Sequence, residues 1–165
     1  MTAAVPERIL ALLEASGASY RMHEHVAVTT VEEARMRVPE LTGNLLKTIA
    51  FEVVGTPRRV LAATAADSDI DYKALAVALG CNRRELRLLP AARIEAELGF
   101  EVGGVGPFPV HEAIEVVIDA AIEPRLIVRC GAGLRTRTLE IALGGLIQAV
   151  QPRLAPLGRL PADSA

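Results

Sequence analysis

Apolar positions along the chain change period repeatedly, from the three-to-four spacing of helices to the strict alternation of strands and back. Ile9, Leu10, Leu12 and Leu13, with Pro6 ahead and Gly17 behind, predict a first amphipathic helix. Residues 20–28 read as extended. Thr30 and Glu33 have the spacing of a capping box, so residues 31–37 should form a short helix that Pro39 ends. Residues 45–54 alternate as a strand, turn at Gly55, Thr56 and Pro57, and return over 59–65 as an antiparallel hairpin. Asp71 opens a helix over 72–79 and Gly80 closes it. After the apolar stretch 86–89, Pro90 starts a helix that Gly99 ends. Strands are expected at 114–118, 126–130 and 138–143, and a last helix from Leu146. The Pro-rich tail should fray beyond about Leu157. This order mixes hairpins with crossovers and predicts one compact α+β domain over residues 1–165, with a mixed, strongly curved, barrel-like sheet surrounded by helices.

One residue breaks the pattern. Leu45, Lys47, Ile49, Phe51 and Val53 share a strand face, so Lys47 lies among apolar neighbours. Its ammonium can snorkel to water, sit at the lip of a cleft, or be aimed into a pocket. Of the 18 cations 16 are Arg, and only Lys47 and Lys73 are Lys. Where arginine is the default, a lysine on an apolar face suggests a need for a compact amine.

Composition removes several classes of function. The 165 residues suffice for a substantial core without staples. No apolar run reaches the ~18 residues of a membrane helix, and the first residues lack the pattern of an export signal, so a soluble cytoplasmic protein is expected. Cys81 and Cys130 have no CxxC spacing and read as two reduced thiols. The net charge is −2, the cations are scattered, and there are two Tyr, three Phe and no Trp. Tight sequence-reading of nucleic acid is therefore not expected, and DNA is not an expected partner; contact with one end of an RNA stays open.

Three stretches could carry chemistry. His23 and His25 share one face of an extended segment, but no third ligand is evident, and two surface histidines are the preferred reading over a metal site. No cofactor is expected. The segment GGVGPFP, 103–109, holds three glycines and two prolines in seven residues. It is either a tight turn or a wall of backbone N–H groups able to hold a carbonyl or phosphate oxygen. The segment CGAG, 130–133, ends a predicted strand, where Gly131 and Gly133 could admit a ligand, although a hairpin loop is the simpler reading. GxSxG and GxxxxGK[ST] are missing, and neither cysteine has a histidine nearby in sequence. Hydrolysis by a positioned substrate, backbone donors and one ammonium is the chemistry these parts permit.

Together, LLKTIAF with Lys47, DYKALAVALG, LGFEVGGVGPFP, the VVID strand and CGAG…LEIALGGL resemble the YbaK/ProX family, similar to the editing domain inserted in bacterial prolyl-tRNA synthetases. The resemblance runs from about residue 5 to residue 150. It implies a free-standing aminoacyl-tRNA deacylase that clears mischarged tRNA, typically proline tRNA carrying cysteine or alanine. It implies Lys47 as the essential lysine, and Gly103, Gly104, Val105, Gly106 and Pro107 as pocket lining; Gly131 and Gly133, which could admit a ligand, are counted beside them as substrate-binding positions. The partners it implies are the aminoacyl-tRNA acceptor end and, beyond that, prolyl-tRNA synthetase. The loop departs from the family's commonest pattern, GG-x-S-P-x-G: Gly106 replaces the serine and Pro109 the final glycine. That departure leaves a second reading open, a binding module without turnover for an aminoacyl-tRNA end, a nucleotide or a synthetase surface.

Overall fold

The computed structural model describes residues 4–159. Helix α1, Val5–Ser16, has proline in its first turn and ends on Gly17 at φ 71°, a left-handed position that suits glycine. Strand β1, Tyr20–Glu24, is followed by α2, Val31–Arg37, whose Glu33 N–H donates to the Thr30 hydroxyl as the capping spacing predicts. Strands β2, Leu46–Val53, and β3, Arg59–Ala65, form the expected hairpin. A two-residue β4, Asp69–Ile70, leads into α3, Tyr72–Leu79, where the Asp71 carboxylate accepts from the Ala74 N–H at 3.1 Å. Strand β5 is Leu86–Leu88, and α4, Ala91–Arg93, continues as a π-helical turn to Leu98. Then follow β6, Ile114–Asp119, β7, Ile127–Gly131, β8, Arg137–Ala142, α5, Leu143–Val150, β9, Arg153–Ala155, and β10, Gly158–Arg159.

The fold is mixed α and β, but the strands do not make one barrel-like sheet. They form a five-stranded sheet in the order β5-β2-β3-β6-β9, a three-stranded sheet β1-β8-β7, and the pair β10-β4. Among the described residues no sheet closes. The five-stranded sheet stops at three-residue edges, β5 and β9, and β9 is flanked by Pro152 and Pro156. Such edges are too short, and on one side too proline-bound, to recruit another strand. The two larger sheets meet at the bridge between Leu45 and Arg129, just before β2 begins.

The five-stranded sheet is covered on both faces, which explains why β2 and β3 are apolar on alternate and on consecutive positions. Leu46, Ala50, Leu61 and Ile118 pack with Ile9 and Leu13 of α1 and with Leu143 and Leu146 of α5. Phe51, Val53, Val60 and Val117 pack with Leu75 and Leu79 of α3. Alternation puts Lys47 on the α3 side, in register with Thr64 of β3.

The tail departs from the expected fraying. Leu157 is fully buried, and Gly158–Arg159 pairs with Asp69–Ile70. The latch is Asp119, whose buried carboxylate accepts from the N–H groups of Leu157 at 3.2 Å, Gly158 at 3.1 Å and Ala121 at 3.1 Å, and from the Thr64 hydroxyl at 3.0 Å. A carboxylate with four donors can be buried where an unpaired one could not. Residues 160–165, the rest of the expected frayed tail, lie outside the described residues.

Candidate active site

Lys47 is the second residue of β2, and its ammonium stands where two concavities meet. On one side is a cavity of about 260 Å³, lined by Lys47 with Thr48, Val31, Val105, Gly131 and Thr138 among others. On the other is a wider cleft of about 600 Å³ that includes Lys47, Asp69, Tyr72, Lys73, Arg83 and Arg159. Both include Ile49 as well. Lys47 Nζ lies 3.6 Å from Asp69 Oδ1, and the lysine side chain keeps 23 % of its surface exposed. The strand pattern dictates this placement: the first turn of β2 lies between α2 and α3, beyond the Phe51 and Val53 packing that closes the rest of the face.

The structure brings Gly103, Val105 and Gly131 to the cavity with Lys47. Gly104, Gly106, Pro107 and Gly133 are not part of its lining. The first two of these have a packing reason to be glycine. A Cβ on Gly104 would stand 2.6 Å from the Leu134 backbone, and one on Gly106 would stand 2.1 Å from the Gly131 carbonyl oxygen. Loop 103–107 and the end of β7 therefore lie backbone against backbone, joined by the Gly133 N–H donating to the Gly104 carbonyl at 2.7 Å. The Gly104 N–H donates to the Glu101 carbonyl at 2.8 Å and is spoken for. The Val105 N–H donates to no carbonyl among the described residues.

The rest of the lining was not legible as a site from motifs. Val28, Thr29, Thr30, Val31 and Ala34 arrive from α2 and the segment before it, and Thr138 from β8. Thr138 faces Gly131 in the β7–β8 register, so recognising that hairpin would have supplied it. Thr48 Oγ1 is enclosed and has no hydrogen-bond partner among the described residues. Cys130 also lines the cavity, but burial pushes its thiol up to about 12. It is a neutral wall residue at physiological pH, not a thiolate nucleophile.

The wider cleft is cationic, with Lys47, Lys73, Arg83 and Arg159 against the carboxylates of Asp69 and Asp71. The Arg83 guanidinium lies 4.7 Å from the Tyr72 ring centroid, and Tyr72 meets Phe51 edge-on at 5.2 Å. His23 and His25 each have a protein partner, Glu140 at 3.3 Å and Thr138 at 2.8 Å. Among the described residues no group of three or more His, Cys, Asp or Glu side chains could hold a metal ion, and no helix is long and apolar enough to cross a membrane.

A lysine between a small pocket and a cationic cleft, on an open mixed sheet, matches a known class. The family model described as the aminoacyl-tRNA editing domain matches residues 25–149. The chain belongs to that family, and with it to the enzymes that hydrolyse aminoacyl-tRNA. It is 28 % identical over 160 residues to the Multifunctional Ser/Thr-tRNA deacylase ProXp-y of Escherichia coli (strain K12), a match covering 93 % of this chain and 92 % of that one. Its fold is similar to that of a hypothetical protein of known structure, with a TM-score of 0.79 at 21 % identity over 92 % of this chain and 99 % of the other. It is also similar to a protein assigned provisionally as a trans-editing enzyme for prolyl tRNA synthetase, with a TM-score of 0.74 at 20 % identity over 96 % and 99 % of the two chains. At these identities the two structures establish the fold alone.

Proposed function

We propose that the chain acts in trans, as one editing domain in the cytoplasm, on tRNA that carries a wrong small amino acid. Water adds to the ester carbonyl, the bond to the terminal ribose oxygen breaks, and free amino acid and uncharged tRNA leave. The observation that carries this reading is the position of Lys47 between a cavity and a cationic cleft. The cavity, at about 260 Å³, is below the ~300–1,000 Å³ usual for drug-sized ligands. It suits an amino acid, while the cleft has room and charge for the nucleotide that bears it.

In this reading the Lys47 ammonium holds the acceptor end and offsets negative charge that develops on the carbonyl oxygen. The Val105 N–H, uncommitted to any carbonyl among the described residues, is a second donor to that oxygen. Gly103 and Gly131 border the cavity, but a Cβ on them would stand 2.2 Å from the Val28 carbonyl oxygen and 2.4 Å from the Val105 carbonyl oxygen, so their contribution is to let the loops close around the substrate. The ester is already activated, and the vicinal ribose hydroxyl can assist the attack, so no protein base is required. Second-site hydrolysis answers a physical limit, since one methylene gives a synthetase only about 1–3 kcal/mol of discrimination.

The family resemblance supports proline tRNA carrying cysteine or alanine, with prolyl-tRNA synthetase as a further partner. The Escherichia coli relative supports serine and threonine. All four side chains are small, so cavity volume does not separate them. A deacylation assay over tRNAs charged with cysteine, alanine, serine, threonine and proline tests the reading. Turnover of one or more of the first four with sparing of Pro-tRNA is expected; binding without turnover on any of them would replace the enzyme by a binding module.

A further inference from the structure

The cavity has an apolar wall built from Val28, Val31, Ala34, Leu46, Ile49 and Val105, so any polar group on it must be accounted for. Four threonines line it. The Thr30 hydroxyl is occupied by the Glu33 N–H. Thr48 Oγ1 is enclosed by protein, and Thr29 is exposed on the rim. Thr138 is half-buried, and its hydroxyl is held by a histidine from a neighbouring segment.

His25 fixes the direction of that hydrogen bond. Its Nδ1 stands 2.7 Å from the Val26 carbonyl oxygen, which can only accept, so Nδ1 carries the proton. In the neutral ring Nε2 is then an acceptor, and the Thr138 hydroxyl, 2.8 Å away, donates to it. The hydroxyl proton is committed and only the oxygen lone pairs remain. Thr138 can therefore accept a hydrogen bond from a substrate but cannot give one.

We propose that Thr138, oriented by His25, is the residue of this site that reads a hydroxyl on the side chain of the amino acid being removed, so that discrimination between serine or threonine and alanine runs through it. The inference rests on the deacylase reading above and assigns its specificity residue. A serine or threonine hydroxyl is a good donor to the waiting oxygen, a thiol is a weak one, and an alanine methyl offers nothing. Thr138 is a specificity residue and His25 a positioning residue, because the imidazole acts through the hydroxyl.

The test measures kcat/KM for seryl-, threonyl- and alanyl-esters on one and the same tRNA. The wild-type protein should favour the two hydroxylated substrates. Thr138→Val should lower their turnover about tenfold while alanine stays within about twofold, the size expected for loss of one hydrogen bond. Thr138→Ser, which keeps the hydroxyl, should keep the preference, and shows that the site tolerates substitution. His25→Ala frees the hydroxyl to rotate and should reduce the serine-to-alanine ratio about threefold, an effect a purely structural role would not produce. An equal loss on all three substrates in Thr138→Val would overturn the inference, since the hydroxyl would then meet a group common to them all. A wild-type preference for alanine would overturn it while leaving the deacylase reading intact, and no turnover on any ester would remove both.

Discussion

Lys47 Nζ and Asp69 Oδ1 are 3.6 Å apart across the mouth of the wider cleft, joining the first turn of β2 to the two-residue strand β4. Asp69 is the more exposed partner, at 54 %, and β4 is held in turn by β10 at the end of the described chain. A half-exposed pair at this distance contributes little stability. Its consequence is positional: the carboxylate keeps the ammonium at the boundary of cavity and cleft.

Asp69→Asn should therefore leave the melting temperature almost unchanged, with a stability change below about 1 kcal/mol. Steady-state kinetics should show kcat falling about three- to tenfold, because the ammonium is less well placed. Affinity for tRNA should rise at the same time, because a carboxylate no longer opposes phosphate in the cleft. A fall in affinity would mean that Asp69 itself holds the substrate.

The glycine loop carries a prediction of the opposite kind. As pocket lining Gly104 would carry a side chain into the ligand, but a Cβ there meets the Leu134 backbone first, at 2.6 Å. A side chain there must push two backbone segments apart, so even Gly104→Ala should lower stability by several kcal/mol or abolish soluble expression. Thermal denaturation decides it, and an alanine variant as stable as wild type would show that the loops are not locked together.

How much of this was legible in the chain follows from which interactions are local. The Thr30–Glu33 cap, the 45–65 hairpin and the Gly17, Gly80 and Gly99 helix stops are written within a few residues of one another, and all are present. Lys47 stood out because a charge on an apolar strand face is a local anomaly. The barrel-like sheet was not legible correctly, since closure depends on how edge strands β5 and β9 end and on their prolines, not on periodicity. The latch of Asp119 on Leu157 and Gly158 spans 38 and 39 residues and leaves no pattern in either segment. For the same reason Thr138 and His25, 113 residues apart, could not be joined by spacing.

The chemistry of Cys130 gives a third expectation. Cys130 borders the cavity but its side chain belongs to the buried core, and burial pushes its thiol up to about 12, so the thiolate fraction at pH 8 is negligible. Treatment of the folded protein with iodoacetamide at that pH should leave Cys130 unmodified by mass spectrometry and the deacylase rate unchanged. Stoichiometric alkylation of Cys130 would contradict its assignment as a buried, neutral wall residue.

The cleft predicts how tRNA binds. Four cations and a single aromatic ring, with no stacking platform, should give weak affinity that falls steeply as salt increases. Replacing Lys73 and Arg83 together by Ala should flatten the slope of log affinity against log salt by about 1–2 units. Tight binding that is indifferent to salt would place the tRNA elsewhere on the surface.

The role assigned to Lys47 is tested most directly by single-turnover deacylation of the best substrate with Lys47→Ala and Lys47→Arg, each paired with a melting curve. Lys47 stands near the start of β2 with its ammonium at the mouth of the cleft rather than in the core, so its removal should cost about 1 kcal/mol of stability or less. The rate should nonetheless fall by orders of magnitude in both variants, because the contact is made to the transition state and the planar arginine head cannot occupy the place of a compact ammonium. Full activity in the arginine variant, or an alanine variant whose loss of rate merely follows its loss of folded protein, would contradict the pocket role of Lys47.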